Sequence, residues 1–473
     1  MLSFAISGTY TDLYEITMGQ TYFLENRQHE SACFDYFFRK IPFGGGYVLF
    51  AGLHDLLDIL EDLHFTDSDI AYLKEQKLAT SYIDYLKDFS FKGDVYSVPE
   101  GEVVFPNTPI LRVEGGILEA QLVESLLLNI LNFESLVATK ASRMRYVAGK
   151  RILSDFGLRR AQGLGAVLAA RAAVVGGFNA TSNVYAAQLY NIPSSGTMAH
   201  SFIESHEDEL EAFRAFARAR PRDCVFLVDT YNTLKSGVPH AITVAKELEA
   251  QGYKAKGIRL DSGDLAILSK AARTMLDEAG LPYIQIVTSN QLDEYVIKNL
   301  LEQGAPIDVF GVGTKLVTGA PDAALDGVYK LAMAGNKPRL KLSETPEKIT
   351  LPGIKQILRV LNQDGSFYGA DAVILDHEGY STNVMYHQFN TSVHTTIKGI
   401  RQEPLLHKVM SSGKRVEQAP MLDNIATHAK NRLALLPDKY KQLDNQATYE
   451  VGISSQLKQL REQLIKHYQQ NSE

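Results

Sequence analysis

Gly257-Ile258-Arg259-Leu260-Asp261-Ser262-Gly263-Asp264 alternates apolar residues with a cation and a carboxylate, then breaks into a polar turn. A period of two places Arg259 and Asp261 on one face of a strand and Ile258 and Leu260 on the other. Asp264 is placed to cap the helix-like passage 265–279 that follows. Strand, polar turn and helix in that order make one β-α unit, and the unit recurs along the middle of the chain. Short apolar runs stand at 152–156, 173–177, 225–229, 283–287 and 307–311, with further helix-like passages at 234–251 and 293–303. Repeated units of this kind, with buried parallel strands, predict an α/β barrel or a doubly wound sheet.

A barrel gathers the carboxyl ends of its strands on one rim, so polar residues scattered in sequence would converge there. The runs end in Phe156-Gly157-Leu158-Arg159, Thr181-Ser182-Asn183, Asp229-Thr230, Asp261-Ser262-Gly263-Asp264, Ser289-Asn290 and Gly311-Val312-Gly313-Thr314-Lys315, with Thr197 to His200 between the second and third. The short connection between Ser182 and Thr197 makes any such barrel irregular. Gly313 and Thr314 follow a late strand, where backbone N–H groups suit a phosphate. Asp261 suits ribose hydroxyls or Mg²⁺. Arg259 beside it suits a sugar-phosphate, and a buried ion pair would read the same way.

Composition narrows the function classes. Lys and Arg number 48 against 55 Asp and Glu, a formal net charge of -7, which argues against a general nucleic-acid surface. Two cysteines, Cys33 and Cys224, speak against a disulfide framework or zinc site and for a reducing, cytoplasmic setting. The opening residues Met1 to Gly8 lack the pattern of a secretory signal. The longest apolar passage, 163–178, contains Arg171, is too short to cross a bilayer, and reads as a buried helix running into a strand, so no membrane partner is expected. Between Lys140 and Arg160 seven cations face the single acid Asp155, which suggests an anionic ligand or, equally for the first five, a solvated basic helix face.

Three segments follow from these signals. Residues 1–138 form an N-terminal β-rich domain, with β signals and Pro99, Gly101, Pro106 and Pro109 over 93–114, ending in a linking helix over 118–138. Residues 139–340 form the irregular α/β barrel with the active site. Residues 341–473 return to the N-terminal domain through strands around the Asp364-Gly365 turn, and end in a helix over 454–468. Both ends of the chain thus build a second, β-rich domain; 405–432 mixes strand and turn signals without resolving into elements.

The segment 194–203 (SSGTMAHSFI) carries one histidine into an acidic helix, and on its own that histidine reads as structural. Its company is more specific. TDLYEITM (11–18), FDYFFRKIPFGGGY (34–47), DFGLRRAQG (155–163), FNATSNV (178–184), GTMAHSF (196–202), VDTYNT (228–233), IRLDSGD (258–264), FGVGTKL (310–316) and KLSETPEKITLPGIKQ (341–356) together resemble the nicotinate phosphoribosyltransferases, of the type II phosphoribosyltransferase group.

The resemblance implies that nicotinate and phosphoribosyl pyrophosphate give nicotinate mononucleotide and pyrophosphate in NAD biosynthesis, with Mg²⁺ and coupling to ATP hydrolysis. It implies a homodimer with shared active sites. Phe156 and the partner subunit's Tyr14 would sandwich the pyridine ring, with Arg159, Thr181 and Ser182 holding nicotinate. Arg39, Arg259, Gly313 and Thr314 would meet phosphates, and Asp229 and Asp261 would serve ribose, metal or histidine positioning. His200 would accept phosphate from ATP as a transient phosphohistidine. The metal's protein ligands are not implied.

Other readings are a nicotinamide-preferring enzyme, a metal-dependent barrel hydrolase or aldolase, and a non-catalytic nicotinate sensor. Ser182 weighs against the first, because related nicotinamide enzymes resemble aspartate there, which repels a carboxylate ligand. The metal reading would use His200 with Glu204, His206 and Asp208, but two histidines six apart do not share a helix face. The intact His200, Arg159 and Asp261 weigh against a sensor.

Overall fold

The computed structural model describes residues 6–470; Met1–Ala5, the start of the segment examined for a signal, and 471–473 lie outside the described residues. The chain divides into two compact units, one comprising Val137–Ala323, the other the chain up to Leu136 and from Ala324 onward.

The Val137–Ala323 unit is an irregular α/β barrel. Its strands are β1 (Ile152–Asp155), β2 (Ala180–Thr181), β3 (Val225–Leu227), β4 (Gly257–Leu260), β5 (Gln285–Ser289) and β6 (Val309–Val312). They hydrogen-bond in the order β2-β1-β6-β5-β4-β3, and every pairing is parallel. That order is the cyclic sequence of a barrel with one pairing missing, the seam between β2 and β3. At the seam Thr181 forms an isolated parallel bridge with Ser194, so the segment leading to His200 lies along the free edge of β2. Helices Gly165–Val175, Val238–Ala250, Leu265–Glu278 and Glu294–Glu302 follow β1, β3, β4 and β5. Asp264 caps the third of these, accepting from the N–H groups of Ala266 and Ile267.

The other unit is β-rich and is built from both chain ends. In a seven-stranded antiparallel sheet, Ser31–Phe38 pairs with Leu111–Gly116 on one side and with Gly327–Ala334 on the other. The chain therefore leaves the barrel earlier than residue 340. A six-stranded sheet joins Lys355–Leu361, Phe367–Leu375, Val384–His387, His394–Thr396, Arg401–Pro404 and Glu450–Ile453. The Asp364-Gly365 turn connects the first two, with Gly365 at φ 84°. The stretch 405–432, whose sequence mixes strand and turn signals, contains the strands His407–Ser411 and Lys414–Arg415 and the start of the helix Leu422–Leu435.

Two expectations are overturned. The apolar run 173–177 is not a strand but the last turn and exit of Gly165–Val175, where alanines on every side let a helix bury its whole circumference. The cations of 140–145 neither await an anion nor form a solvated face. Lys140 and Arg143 both pair with the buried Glu294, at 2.7 and 2.9 Å. Arg145 donates to the carbonyls of Gly177, Gly149 and Arg151 and to Asn179.

Candidate active site

The carboxyl ends of the barrel strands bring most of the expected residues together. Arg259 lies on the face of β4 opposite the buried Ile258 and Leu260, as the alternation requires. Its Nη2 donates to Asp261 Oδ1 at 2.9 Å, Nε to Ser289 Oγ at 2.9 Å and Nη1 to Thr197 Oγ1 at 3.2 Å. The ion-pair alternative is thus realised, and of the guanidinium's five N–H groups these bonds occupy three. Ser289 also donates to Asp261 Oδ1. Thr197 ties the seam segment to β4, and Ser289 ties β5 to it.

Asp229, just past β3, accepts through Oδ2 from the Asp261 N–H at 2.9 Å and from the Ser262 hydroxyl at 2.5 Å. Its Oδ1 is buried and has no hydrogen-bond partner among the described residues. His200 opens the helix His200–Glu204, with Nδ1 3.1 Å from Thr230 Oγ1 and Nε2 3.9 Å from Asp261 Oδ2. The second distance is too long for a hydrogen bond but close enough for a carboxylate to stabilise positive charge on the ring.

Phe156 follows β1, with the Arg259 guanidinium carbon 5.5 Å from its ring centroid. Gly311 on β6 makes room for the ring, since a Cβ there would overlap it. Arg159 is exposed in the turn Leu158–Arg160, and Ser182 is half-buried after β2. Gly313 precedes the short helix Thr314–Val317 on the same rim. Thr181 differs from its expected place among ligand-facing residues, because it is fully buried and its hydroxyl is used inside the protein. Arg39 and Tyr14 belong to the β-rich unit. Arg39 lies over the Phe37 ring, and Tyr14 is exposed on the helix Leu13–Leu24, its hydroxyl pKa raised by desolvation and the nearby Glu124.

Sequence reasoning left Asp155 without a role. It is buried at the end of β1, where Oδ1 accepts the Gly157 N–H and Oδ2 the Thr181 hydroxyl, both at 2.7 Å. Burial raises its pKa, against the pull of those two donors. An acid at the last position of a buried strand, directly before a glycine turn, was the available signal.

Among the described residues no group of three or more His, Cys, Asp and Glu is arranged to hold a metal ion. Asp208 caps Glu209–Ala219 and His206 Nδ1 lies 2.8 Å from Phe202 O, so two of the three partners of His200 in the metal reading are engaged locally. Asp229 Oδ1 and Asp261 Oδ2 are the carboxylate oxygens left for a cation. That pair suits Mg²⁺, which takes one or two carboxylates together with substrate phosphates.

The chain matches three family models that tile most of its length: the nicotinate phosphoribosyltransferase N-terminal domain at 9–132, the nicotinate phosphoribosyltransferase family at 152–351 and its C-terminal domain at 354–461. It is 42% identical to the nicotinate phosphoribosyltransferase of Bacillus subtilis, over 94% of this chain and 92% of that one. It is 35% identical to that of Bos taurus, over 96% of both. The crystal structure of human nicotinic acid phosphoribosyltransferase superimposes with a TM-score of 0.87 at 32% identity, covering 96% of this chain and 99% of that one. Alongside a rim that supplies acids, a histidine and an aromatic ring in the expected places, these likenesses show that the chain belongs to the nicotinate phosphoribosyltransferase family.

Proposed function

We propose that this chain transfers the phosphoribosyl group of phosphoribosyl pyrophosphate to the ring nitrogen of nicotinate, releasing pyrophosphate, and drives the transfer with ATP through a phosphohistidine at His200. The carrying observation is the placement of His200 between Thr230 and Asp261. With Thr230 accepting the Nδ1–H, the Nε2 lone pair attacks the γ-phosphorus of ATP while the bond to the β-phosphate oxygen breaks and ADP leaves. Asp261 offsets the positive charge that builds on the imidazole.

In the transfer itself, nicotinate stacks on the face of Phe156 away from Arg259, and the exposed Arg159 pairs with its carboxylate. Ser182 leaves that carboxylate unopposed. The backbone at Gly313 and Thr314 receives phosphate. Asp229 and Asp261 would hold Mg²⁺ together with substrate phosphates, and the ion would supply charge neutralisation for the departing pyrophosphate.

Apolar side chains left exposed on the barrel unit support a homodimer. Leu158, Leu164, Val184, Tyr185, Leu189 and Tyr231 all stand on connections after β1, β2 and β3. A second copy covering them supplies Tyr14 to the pyridine ring, and light scattering after size exclusion reads the mass directly. No helix is long and apolar enough to cross a membrane among the described residues.

The deciding assay incubates the protein with nicotinate, phosphoribosyl pyrophosphate, Mg²⁺ and γ-labelled ATP. Nicotinate mononucleotide and acid-labile protein-bound label are expected together. Absence of mononucleotide above blank removes the enzymatic reading, and product without label removes only the phosphohistidine.

A further inference from the structure

We infer that Asp155 is a positioning residue that sets the pyridine-binding residues of two neighbouring loops in a common register. The inference rests on the assignment of Phe156, Arg159 and Ser182 to nicotinate, and deepens it.

Asp155 is 1% exposed and cannot reach substrate from beneath the rim. Oδ1 takes the Gly157 N–H, fixing the turn that orients Phe156 and leads into Leu158–Arg160. Oδ2 takes the Thr181 hydroxyl, and that hydroxyl oxygen in turn accepts the Asn183 N–H at 3.0 Å. The Asp155 carbonyl accepts the Ser182 N–H at 2.8 Å. Ser182 is therefore held at its own N–H and through both neighbours, all from one residue on the adjoining strand. Gly157 also packs closely against Val317 of the helix Thr314–Val317, where a side chain at 157 would overlap it. An amide at 155 keeps the shape and one acceptor, but presents N–H to a hydroxyl that was donating. The hydroxyl can then meet the amide only as an acceptor, alongside the Asn183 N–H, and its own proton loses the carboxylate, so the link between the loops is weakened and Ser182 is freed to shift.

The test compares Asp155→Asn, Thr181→Val, the double variant and Thr181→Ser, with nicotinate affinity measured both by equilibrium titration and as KM. Either of the first two is expected to raise the nicotinate Kd and KM by ~10-fold or more, with kcat and the KM for phosphoribosyl pyrophosphate little changed. The double variant is expected to cost no more than Thr181→Val alone, because that change already cuts the link that Asp155→Asn weakens. Thr181→Ser, which restores the hydroxyl, is expected to recover the affinity lost in Thr181→Val. Should Asp155→Asn fail to fold, the buried and near-isosteric Thr181→Val carries the test. Unchanged nicotinate affinity in the variants, or equal loss for both substrates, overturns the positioning role alone. Wild-type protein that binds no nicotinate overturns the pyridine-site reading and this inference with it. Wild-type protein that binds nicotinate without turnover removes the catalytic reading and leaves the positioning role to be decided by Kd.

Discussion

Arg259 and Arg359 are both arginines on strands paired with an aspartate two to twelve residues away, yet the two regions treat them oppositely. In the β-rich unit Arg359 is fully buried. It grips Asp371 with two nitrogens, at 3.1 and 2.9 Å, meets Glu102 and Val103 O, and lies against the rings of Phe367 and Phe105. Tyr449 supplies a further donor to Asp371 at 2.9 Å. In the barrel Arg259 is partly open, its bonds go to three different elements, and the acids around it keep the free oxygens Asp229 Oδ1 and Asp261 Oδ2. A saturated cluster holds a fold together, whereas one with spare valences on a rim is equipped to receive something.

The contrast breaks most visibly at Arg359. Arg359→Met strands two buried carboxylates and is expected to cost about 3–5 kcal/mol, read by urea denaturation. An unchanged midpoint would mean that the cluster is not structural. His200→Ala should behave in the reverse manner. Stability is expected to stay within ~0.5 kcal/mol, because the ring is half-exposed. Protein-bound label should vanish and the ATP-dependent gain in mononucleotide should fall roughly 10–100-fold; retained coupling would move phosphate acceptance elsewhere. Ser182→Asp sharpens the contrast within the rim, since a new charge beside nicotinate's carboxylate is expected to cost roughly 1–2 kcal/mol, or about 5–30-fold in KM. Competition with nicotinamide reads the change, and an unaltered preference would remove Ser182 from the pyridine site.

The smallest effect lies in the β-rich unit, where burial, and secondarily the nearby Glu124, push the Glu15 carboxyl up to about 7. Gln121 donates to it at 2.8 Å and opposes the shift. The folded state then binds the proton more tightly than the unfolded chain, so stability declines as pH rises from the ordinary carboxylate range to about 7 and is flat above that. Glu15→Gln removes this slope. Between pH 5 and pH 8 the wild-type thermal midpoint is expected to fall by on the order of 1–2 °C more than that of the variant. Parallel curves would assign the slope to other groups.

What could be read in the chain was local. The alternation in 257–264 foretold the shared face of Arg259 and Asp261, and Asp264 foretold its cap, because both depend on neighbours a few residues away. The partner of Lys140 and Arg143 was not legible, since Glu294 is some 150 residues distant and only the tertiary fold makes a local excess of cations neutral. Ala173 to Gly177 misled because valine and alanine in a fully buried segment carry no periodicity by which to separate strand from helix. Asp155 and Thr181 were visible as residues but not as a link, since the register between β1 and β2 cannot be counted from either strand alone. His200 was legible only through the blocks around it; its neighbours Thr230 and Asp261 come from two other strands.

The missing pairing between β2 and β3 makes this barrel compliant at one place. A closed ladder resists displacement of any strand by the sum of bonds on both its sides. The segment that leads to His200 is attached at the edge of β2 through Thr181 N–H to Pro193 O and Ser195 N–H to Thr181 O. At about 1 kcal/mol net apiece, shifting that edge costs on the order of 2 kcal/mol. Thr197 to Arg259 and His200 to Thr230 add two side-chain anchors, so at the seam this segment is held by isolated contacts to three strands and not by a continuous ladder.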